Sequence, residues 1–194
     1  MMTSDYPNHR YNLKHIQDIE HVLHQALTQF KRVSIFRFDV HYPNFHPDDP
    51  TSYRTQEFTK KFLGSFTAKL EHMTGQKAAF YYLWCKEHHI EKDTPLPHYH
   101  FAFILNGNQF RNWGRYHYQG PSLKACVEQA CLSAMGLPSE YAPNVLQYGS
   151  VKSICTYAGK DYQPQWNGVL KMLSYLAKRT GKIPGQRCWG KSTL

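Results

Sequence analysis

Two short segments, rich in aromatic and branched side chains, most constrain how this chain can fold. They cover residues 78–85 (AAFYYLWC) and 98–105 (HYHFAFIL), and a polar segment at 88–97 joins them. Aromatic and β-branched side chains are typical of strands. The sequence therefore predicts two strands that pair as an antiparallel hairpin with a long loop.

Four further segments have the spacing of amphipathic helices. Apolar side chains recur at three- and four-residue steps in the first of them, and Gly75 suits the C-terminal end of the second. Proline is well placed in a first helical turn, which favours a third helix beginning at Pro121. The predicted helices cover residues 13–30, 53–73, 121–134 and 165–179.

Two more strands complete the predicted fold. Residues 33–40 alternate with a period of two, which predicts a strand with one solvent-facing side, and residues 150–157 form a weaker strand candidate. Helices and antiparallel strands are interspersed, so the sequence predicts an α+β fold with a central antiparallel sheet flanked by helices. We expect one domain over residues 1–194, in which 1–12 are flexible and 180–194 form a basic tail.

Composition favours nucleic acid as a partner and argues against a membrane protein. The chain has a formal net charge of +9 and 15% aromatic residues; a basic surface attracts polyanions, and aromatic rings stack on unpaired bases. No apolar run approaches the roughly 20 residues that cross a bilayer, and the N-terminus lacks a secretory apolar segment. Five scattered cysteines without a CxxC pair indicate reduced thiols. We expect a cytoplasmic protein with no membrane partner.

His98 and His100 begin the second strand of the predicted hairpin. Because side chains alternate along a strand, both imidazoles point to one face while Tyr99 points to the other. The next residues on their face, Ala102 and Ile104, are apolar, so the pair lies at the end of an apolar face. The pair is either a metal site or two exposed residues at a strand start, and we expect it to contribute little to the core.

A carboxylate from the preceding strand can complete a metal site. Glu87 lies where the antiparallel hairpin brings it alongside His98, although His89 and Glu91 compete for that place, depending on the register. Two imidazoles and one carboxylate suit Mn²⁺ or Mg²⁺ and leave positions open for phosphate oxygens. The other interpretation of Glu87 is a solvated carboxylate at the edge of the loop.

These residues resemble the metal-binding motif of the HUH endonuclease superfamily of rolling-circle replication initiators and relaxases. The resemblance rests on Glu87-x-His89, a polar loop, and Pro97-His98-Tyr99-His100 before an apolar strand. In that superfamily a histidine–hydrophobic–histidine motif binds the metal, and in replication initiators a glutamate from the preceding strand often completes the site. The resemblance implies that His98, His100 and Glu87 bind a divalent metal, Mn or Mg, on a ferredoxin-like palm.

A wider pattern resembles the YagK/YfjJ or inovirus Gp2-type family. It consists of VSIFRFDVHYP, the block WCKEHH…PHYHFAFILNGN, LSYLAKRTGK and the closing RCWGKS, and it covers most of residues 13–192. Proteins of that family occur in phages, prophages and bacterial genomes and are related to the replication nickase of filamentous phages.

The HUH resemblance also implies a nucleophilic tyrosine on a later helix, usually with a lysine three residues on. Tyr175 and Lys178 have this spacing; Tyr157, which Lys160 follows at the same spacing, and the nearby Tyr162 are the alternatives. On a helical wheel Tyr175 lies opposite the apolar stripe. A tyrosine that packs in the core would lie within that stripe. The position of Tyr175 on the other side of the helix therefore favours contact with phosphate. However, a stripe packed flat on the sheet would turn Tyr175 away from the metal.

The resemblance implies a metal-dependent DNA nickase and strand transferase that initiates rolling-circle replication of phage or prophage-type DNA. Tyr175 would attack single-stranded origin DNA and form a 5′-phosphotyrosine, and Lys178 would assist. Host replication proteins are further expected partners. Two alternatives remain: a non-catalytic DNA-binding prophage regulator with the same fold, and a metal-dependent phosphodiesterase that uses water. A covalent protein–DNA adduct distinguishes the nickase from both.

Overall fold

A computed structural model describes residues 10–42, 57–88, 97–114, 122–183 and 185–192. Within these ranges the chain is α+β, with a five-stranded antiparallel sheet flanked by helices, which confirms the predicted fold class. In chain order the elements are α1 (Leu13–Phe30), β1 (Arg32–His41), α2 (Phe58–Thr74), β2 (Phe80–His88), β3 (Pro97–Asn106), α3 (Leu123–Met135), α4 (Ala142–Val145), β4 (Leu146–Cys155), α5 (Tyr162–Leu173) and β5 (Trp189–Lys191). None of the helices in these ranges combines the length and the apolar character needed to cross a bilayer.

The chain divides into two compact units. The first comprises Met1–Val40, Phe80–Asn112 and Tyr148–Leu194, and the second comprises His41–Ala79 and Trp113–Gln147. The expectation of a single domain stays a prediction.

The predicted hairpin forms the middle of the sheet, whose strand order is β4-β1-β3-β2-β5. β2 and β3 pair antiparallel, with Glu87 opposite His98 and Cys85 opposite His100. The strands extend beyond the predicted ends, and β2 runs three residues further than expected, to His88. Glu87 is therefore held inside a paired strand.

One face of the sheet forms a core with α1 and α5. The fully buried Leu23 of α1 and Leu170 of α5 belong to the same cluster as Val33, Ala102 and Ile104 of the sheet. The opposite face is aromatic: the ring centroids of Phe38 and Phe101 lie 5.4 Å apart, and those of Phe38 and Phe103 lie 5.1 Å apart. The periodic apolar pattern of α1 thus places it on the sheet as predicted.

β1 differs from its prediction because neither of its faces is exposed. Val33 and Ile35 on one face and Phe36 and Phe38 on the other are buried, and so is Ser34, whose hydroxyl lies 3.2 Å from that of Ser153. The alternation in the sequence is real, but β1 lies between β4 and β3 inside the sheet. Its polar residues are therefore partnered instead of solvated.

β5 is a strand that the sequence pattern did not predict, since it lies within the basic segment 180–194. Trp189 pairs with Cys85 of β2, and its ring stacks on His15 of α1 with centroids 4.1 Å apart. Asp18 of α1 accepts hydrogen bonds from the Trp189 indole (3.0 Å) and from the Lys191 ammonium (2.8 Å). These contacts join the closing RCWGKS segment to both β2 and α1.

Any other amino acid at Gly190 of β5 would force neighbouring atoms to shift. A Cβ atom at this position would lie 2.2 Å from Nε1 of Trp84. Because that approach is far inside van der Waals contact, glycine is needed for β5 to lie against β2.

The last helix begins and ends earlier than the predicted 165–179. α5 covers Tyr162–Leu173 and continues as a 3₁₀ turn at Ser174–Ala177. The Ser174 hydroxyl donates to the carbonyl of Lys171, and such local bonds compete with regular helix. β4 likewise ends at Cys155 and not at 157.

In the second unit, buried phenylalanines of α2 confirm its amphipathic pattern; they are Phe58, Phe62 and Phe66. Gly75 ends α2 with a φ of 67°, a left-handed conformation that glycine adopts without strain, as predicted. α3 begins at Leu123 because the Ser122 side chain accepts a hydrogen bond from the Ala125 amide. Residues 53–56 and Pro121 of the predicted helices lie outside the described residues.

Candidate metal centre

His98 and His100 occupy the polar end of one face of β3. Their relative exposures are 9% and 1%, so the pair is buried, contrary to the expectation that it contributes little to the core. The ring centroids lie 4.3 Å apart. The two-residue spacing on a strand therefore brings both imidazoles to one place, as predicted, but inside the protein.

Asp39 joins this pair and is the site residue that the sequence reasoning missed. One ligand atom from each of Asp39, His98 and His100 lies within 4.8 Å of the others, and this group could hold a metal ion. A signal was present: along β1, Arg37 and Asp39 follow Val33 and Ile35 on the same face. β1 and β3 are antiparallel neighbours. The polar end of β1 therefore lies beside the polar end of β3.

The imidazole of His100 lies between two carboxylates. Its Nδ1 is 2.6 Å from Oδ1 of Asp39, and its Nε2 is 3.2 Å from Oε2 of Glu87. Burial alone would lower the pKa of His100, but the hydrogen bonds and charges of both carboxylates together raise it above its ordinary value. A neutral imidazole has one N–H, so the protonated ring is the form that donates to both.

The two carboxylates are held in the ionised form by the same contacts. Burial would raise the pKa of Asp39 and of Glu87, yet hydrogen bonds to His100 and its charge lower both. Arg37 adds to the effect at Asp39, and Lys182 adds to it at Glu87. The central histidine therefore offsets part of the negative charge of the two carboxylates, and Arg37 and Lys182 offset more of it.

Glu87, the predicted third ligand, is brought into contact with His100 but lies outside the group formed by Asp39 and the two histidines. Its role as a ligand stays a prediction. Its predicted competitors, His89 and Glu91, lie outside the described residues.

Tyr175 lies directly against this cluster. Its ring meets the His100 ring edge-on, with centroids 5.0 Å apart, and the Lys178 ammonium lies 3.9 Å from the Tyr175 centroid. The Arg37 guanidinium lies 4.5 Å from the same centroid. Burial, followed by the charge of Glu87, raises the pKa of the Tyr175 hydroxyl, and the charge of Arg37 opposes the rise. The structure thus brings together the predicted tyrosine, its lysine and the histidine pair.

The segment that carries Tyr175 is capped by a lysine from the following loop. Lys182 donates to the carbonyl of Leu176 at 2.9 Å and to the carbonyl of Lys178. A cation at the end of a helical segment satisfies carbonyls that have no partner in the helix. Lys182 therefore fixes the end of the 3₁₀ turn beside the cluster.

The two alternative tyrosines are placed differently. Tyr157 follows the end of β4 in a turn and is 65% exposed, so it is not the strand residue that was predicted. Tyr162 is the first residue of α5, and its ring lies 6.3 Å from that of Trp166.

The donor set fits a divalent cation. Imidazole nitrogens and carboxylate oxygens are ligands of first-row divalent metals, and carboxylates favour Mg²⁺ and Mn²⁺. The Asp39–His100 contact also has the form of a carboxylate that orients a metal-binding histidine through its second nitrogen. The residues present therefore suit a metal site with an oriented ligand.

Fold and site together define an α+β protein with a candidate histidine–carboxylate metal site and an adjacent tyrosine. The chain belongs to the YagK/YfjJ C-terminal domain family, whose model matches residues 3–192. This match confirms the family that the sequence segments indicated. Comparison with curated proteins and with solved structures gives no match. Family membership and the metal cluster are compatible with an enzyme.

Proposed function

We propose that this protein is a metal-dependent single-strand DNA nickase and strand transferase of the HUH type, which initiates rolling-circle replication of phage or prophage-type DNA. The observation that carries the proposal is the contact between the Tyr175 ring and His100 of the metal cluster. A nucleophile beside a candidate metal site is the arrangement that phosphoryl transfer to tyrosine requires.

His98, His100 and Glu87 are the proposed metal ligands. Asp39 would keep the His100 ring in place through its 2.6 Å contact with Nδ1, while Nε2 faces Glu87. A divalent cation held by these residues, Mn²⁺ or Mg²⁺, would supply the positive charge that polarises the scissile phosphate.

Tyr175 is the proposed nucleophile. Its phenolic oxygen forms a bond to phosphorus, the bond from phosphorus to the 3′ oxygen breaks, and the proton lost by the phenol is balanced by one gained at the 3′ oxygen. The products are a 5′-phosphotyrosine and a free 3′-hydroxyl, and reversal of the step joins strands. Lys178 stabilises the developing phenolate from its position 3.9 Å from the ring centroid.

The net charge of +9 and the aromatic content support single-stranded origin DNA as the substrate. Host replication proteins are the further partners that such an initiator requires, and the reaction takes place in the cytoplasm.

The test is an adduct assay on a labelled library of single-stranded DNA with Mn²⁺. Wild type is expected to form a denaturation-resistant protein–DNA adduct, which chelation abolishes. Tyr175→Phe keeps the ring and its packing but has no nucleophilic oxygen, so its adduct should vanish while DNA binding changes little. Tyr157→Phe is the matched control and should form the adduct normally, since Tyr157 is exposed in a turn.

Peptide mapping of the adduct then checks the assignment of the nucleophile. DNA attached at Tyr157 or Tyr162 would overturn the choice of Tyr175 but not the class of reaction. Binding without any adduct would refute the nickase and favour the regulator. Metal-dependent turnover without an adduct would favour hydrolysis by water.

A further inference from the structure

We propose that Arg37 binds the scissile phosphate, with its guanidinium donating to the non-bridging oxygens while the DNA lies beside Tyr175. This inference rests on the proposed function and names a residue that neither the metal cluster nor the tyrosine–lysine pair includes. It assigns Arg37 to direct contact with the substrate.

The position of Arg37 places a cation beside both the proposed nucleophile and the metal cluster. Arg37 lies two residues before Asp39 on the same face of β1. Its guanidinium carbon is 4.5 Å from the Tyr175 ring centroid, and its Nη2 is 3.5 Å from Oδ2 of Asp39. A phosphate within reach of the Tyr175 oxygen and the cluster would therefore lie beside this guanidinium.

The hydrogen-bonding capacity of Arg37 is largely unused. A guanidinium has five N–H donors, yet the only ion pair of Arg37 in the described part of the chain is the 3.5 Å contact with Asp39. That distance is long for a charge-assisted hydrogen bond; the short contact of Asp39, at 2.6 Å, is the one between its Oδ1 and His100. The side chain is 23% exposed, so an anion can reach it.

The Nε donor of Arg37 gives a second indication that its hydrogen-bonding capacity is unused. Its Nε is buried and has no hydrogen-bond partner among the described residues. A buried N–H without an acceptor is costly, and the terminal nitrogens of the same planar guanidinium form a pair of donors that can bind two oxygens of one phosphate. The ring of Tyr175 supports the guanidinium from one side and leaves the donors of its edge for an anion.

Lys178 is less suited to this role. Its ammonium lies over the Tyr175 ring at 3.9 Å and acts as a compact point charge. The arginine fork gives directional donors that can match the phosphate oxygens as charge develops on them. The competing explanation for Arg37 is structural: it would only balance the charge of Asp39.

The first arm of the test measures anion binding without metal or cleavage. The probes are a thymidine dinucleotide with one phosphodiester and its neutral methylphosphonate analogue. The readout is the ¹⁵N–¹H signal of Arg37 Nε, identified as the signal lost in Arg37→Lys. We expect a saturable shift with the charged dinucleotide and none with the neutral one. The signal of Arg111, an exposed arginine, should not saturate over the same range. No shift, or equal shifts with both probes, would overturn the proposal.

The second arm measures cleavage in single-turnover experiments on two substrates that differ only in the charge of the scissile linkage. On natural DNA, Arg37→Gln should slow adduct formation about 100-fold, as loss of a donor to the reacting group does. On DNA with one methylphosphonate at the mapped cleavage position, the same substitution should slow it less than about tenfold. Arg37→Lys keeps the charge but loses the fork, so its rate should lie between those of Arg37→Gln and wild type. Arg111→Gln is the control for loss of an arginine elsewhere.

The outcomes separate this inference from the proposed function. A purely structural Arg37 would give the same penalty on both substrates, which would overturn its assignment to the phosphate. If wild type forms no adduct, the nickase fails, and the first arm alone decides whether Arg37 binds a phosphodiester.

Discussion

The contact between His15 and Trp189 predicts a specific acid sensitivity of the folded protein. The two rings are stacked with an interplanar angle of 4°, and Nδ1 of His15 is buried with no hydrogen-bond partner among the described residues. Burial, followed by the charge of Lys182, lowers the pKa of His15 to about 4. The perturbation we consider is His15→Phe, which keeps a ring on Trp189 and removes the titrating group.

The sign and size of the effect follow from the shift. An unfolded histidine has a pKa of about 6.5, so between pH 6.5 and about 4 the unfolded chain binds more protons at this site than the folded one. This contribution to stability is therefore present above pH 6.5 and is lost as the pH falls. At about 1.4 kcal/mol per pKa unit the whole window corresponds to roughly 3 kcal/mol, of which about 2 kcal/mol is lost between pH 7 and pH 5. Solvent beside the partly buried ring reduces these figures, so they are upper values.

The assay is urea unfolding of wild type and His15→Phe at pH 7 and pH 5. Asp39, Glu87 and His100 also have shifted pKa values, but their contributions cancel in the difference between the two proteins. Relative to the variant, wild type should lose about 1–2 kcal/mol on going from pH 7 to pH 5. His21→Phe, at an exposed position of the same helix, is the matched control and should follow wild type. A difference that does not change with pH would show that His15 is not the source of the acid sensitivity.

Four further predictions concern the cluster, the turn beside it and two glycines. Asp39→Asn should weaken Mn²⁺ binding about 10–100-fold by calorimetry, and Glu87→Gln should weaken it more; the reverse order would make Asp39 the ligand. Lys182→Met removes the cation from the carbonyls that end the 3₁₀ turn, so kcat for adduct turnover should fall while DNA affinity stays unchanged, and Lys182→Arg should restore part of it. Gly190→Ala should destabilise the protein by more than about 2 kcal/mol in urea, since its Cβ would overlap an indole ring. Gly168→Ala, inside α5 with only a lysine ammonium 3.9 Å away, should instead gain about 0.5–1 kcal/mol.

The parts of the site that the sequence predicted are those carried by local patterns. The two-residue spacing of His98 and His100 placed both rings on one strand face, and the hairpin placed Glu87 opposite His98. Each inference needed only the period of a strand and the pairing of two neighbouring segments. The resemblance to the HUH superfamily indicated Tyr175 and Lys178 from their three-residue spacing, which is also a local pattern.

The parts that it missed depend on contacts between distant segments. Asp39 lies 61 residues from His100 in the sequence, and only the pairing of β1 with β3 brings them together. β5 has three residues and no alternating pattern of its own. β5 forms a strand because it pairs with the edge of β2, and because the Trp189 ring stacks on His15 of α1. Neither contact can be inferred from the local sequence of β5 alone.

A helical wheel places Tyr175 away from the sheet, yet Tyr175 contacts His100 on the sheet. The end of α5 explains this difference. A wheel with 3.6 residues per turn places Tyr175 opposite the apolar stripe, which does pack on the sheet. However, α5 ends at Leu173, and the 3₁₀ turn that follows rotates each residue about 20° further than an α-helix does. Leu176 and Ala177 remain buried in the core, while Tyr175 lies where the sheet face changes from apolar to polar, against His100. The stripe and the tyrosine therefore both reach the sheet, one at its apolar middle and the other at its polar end.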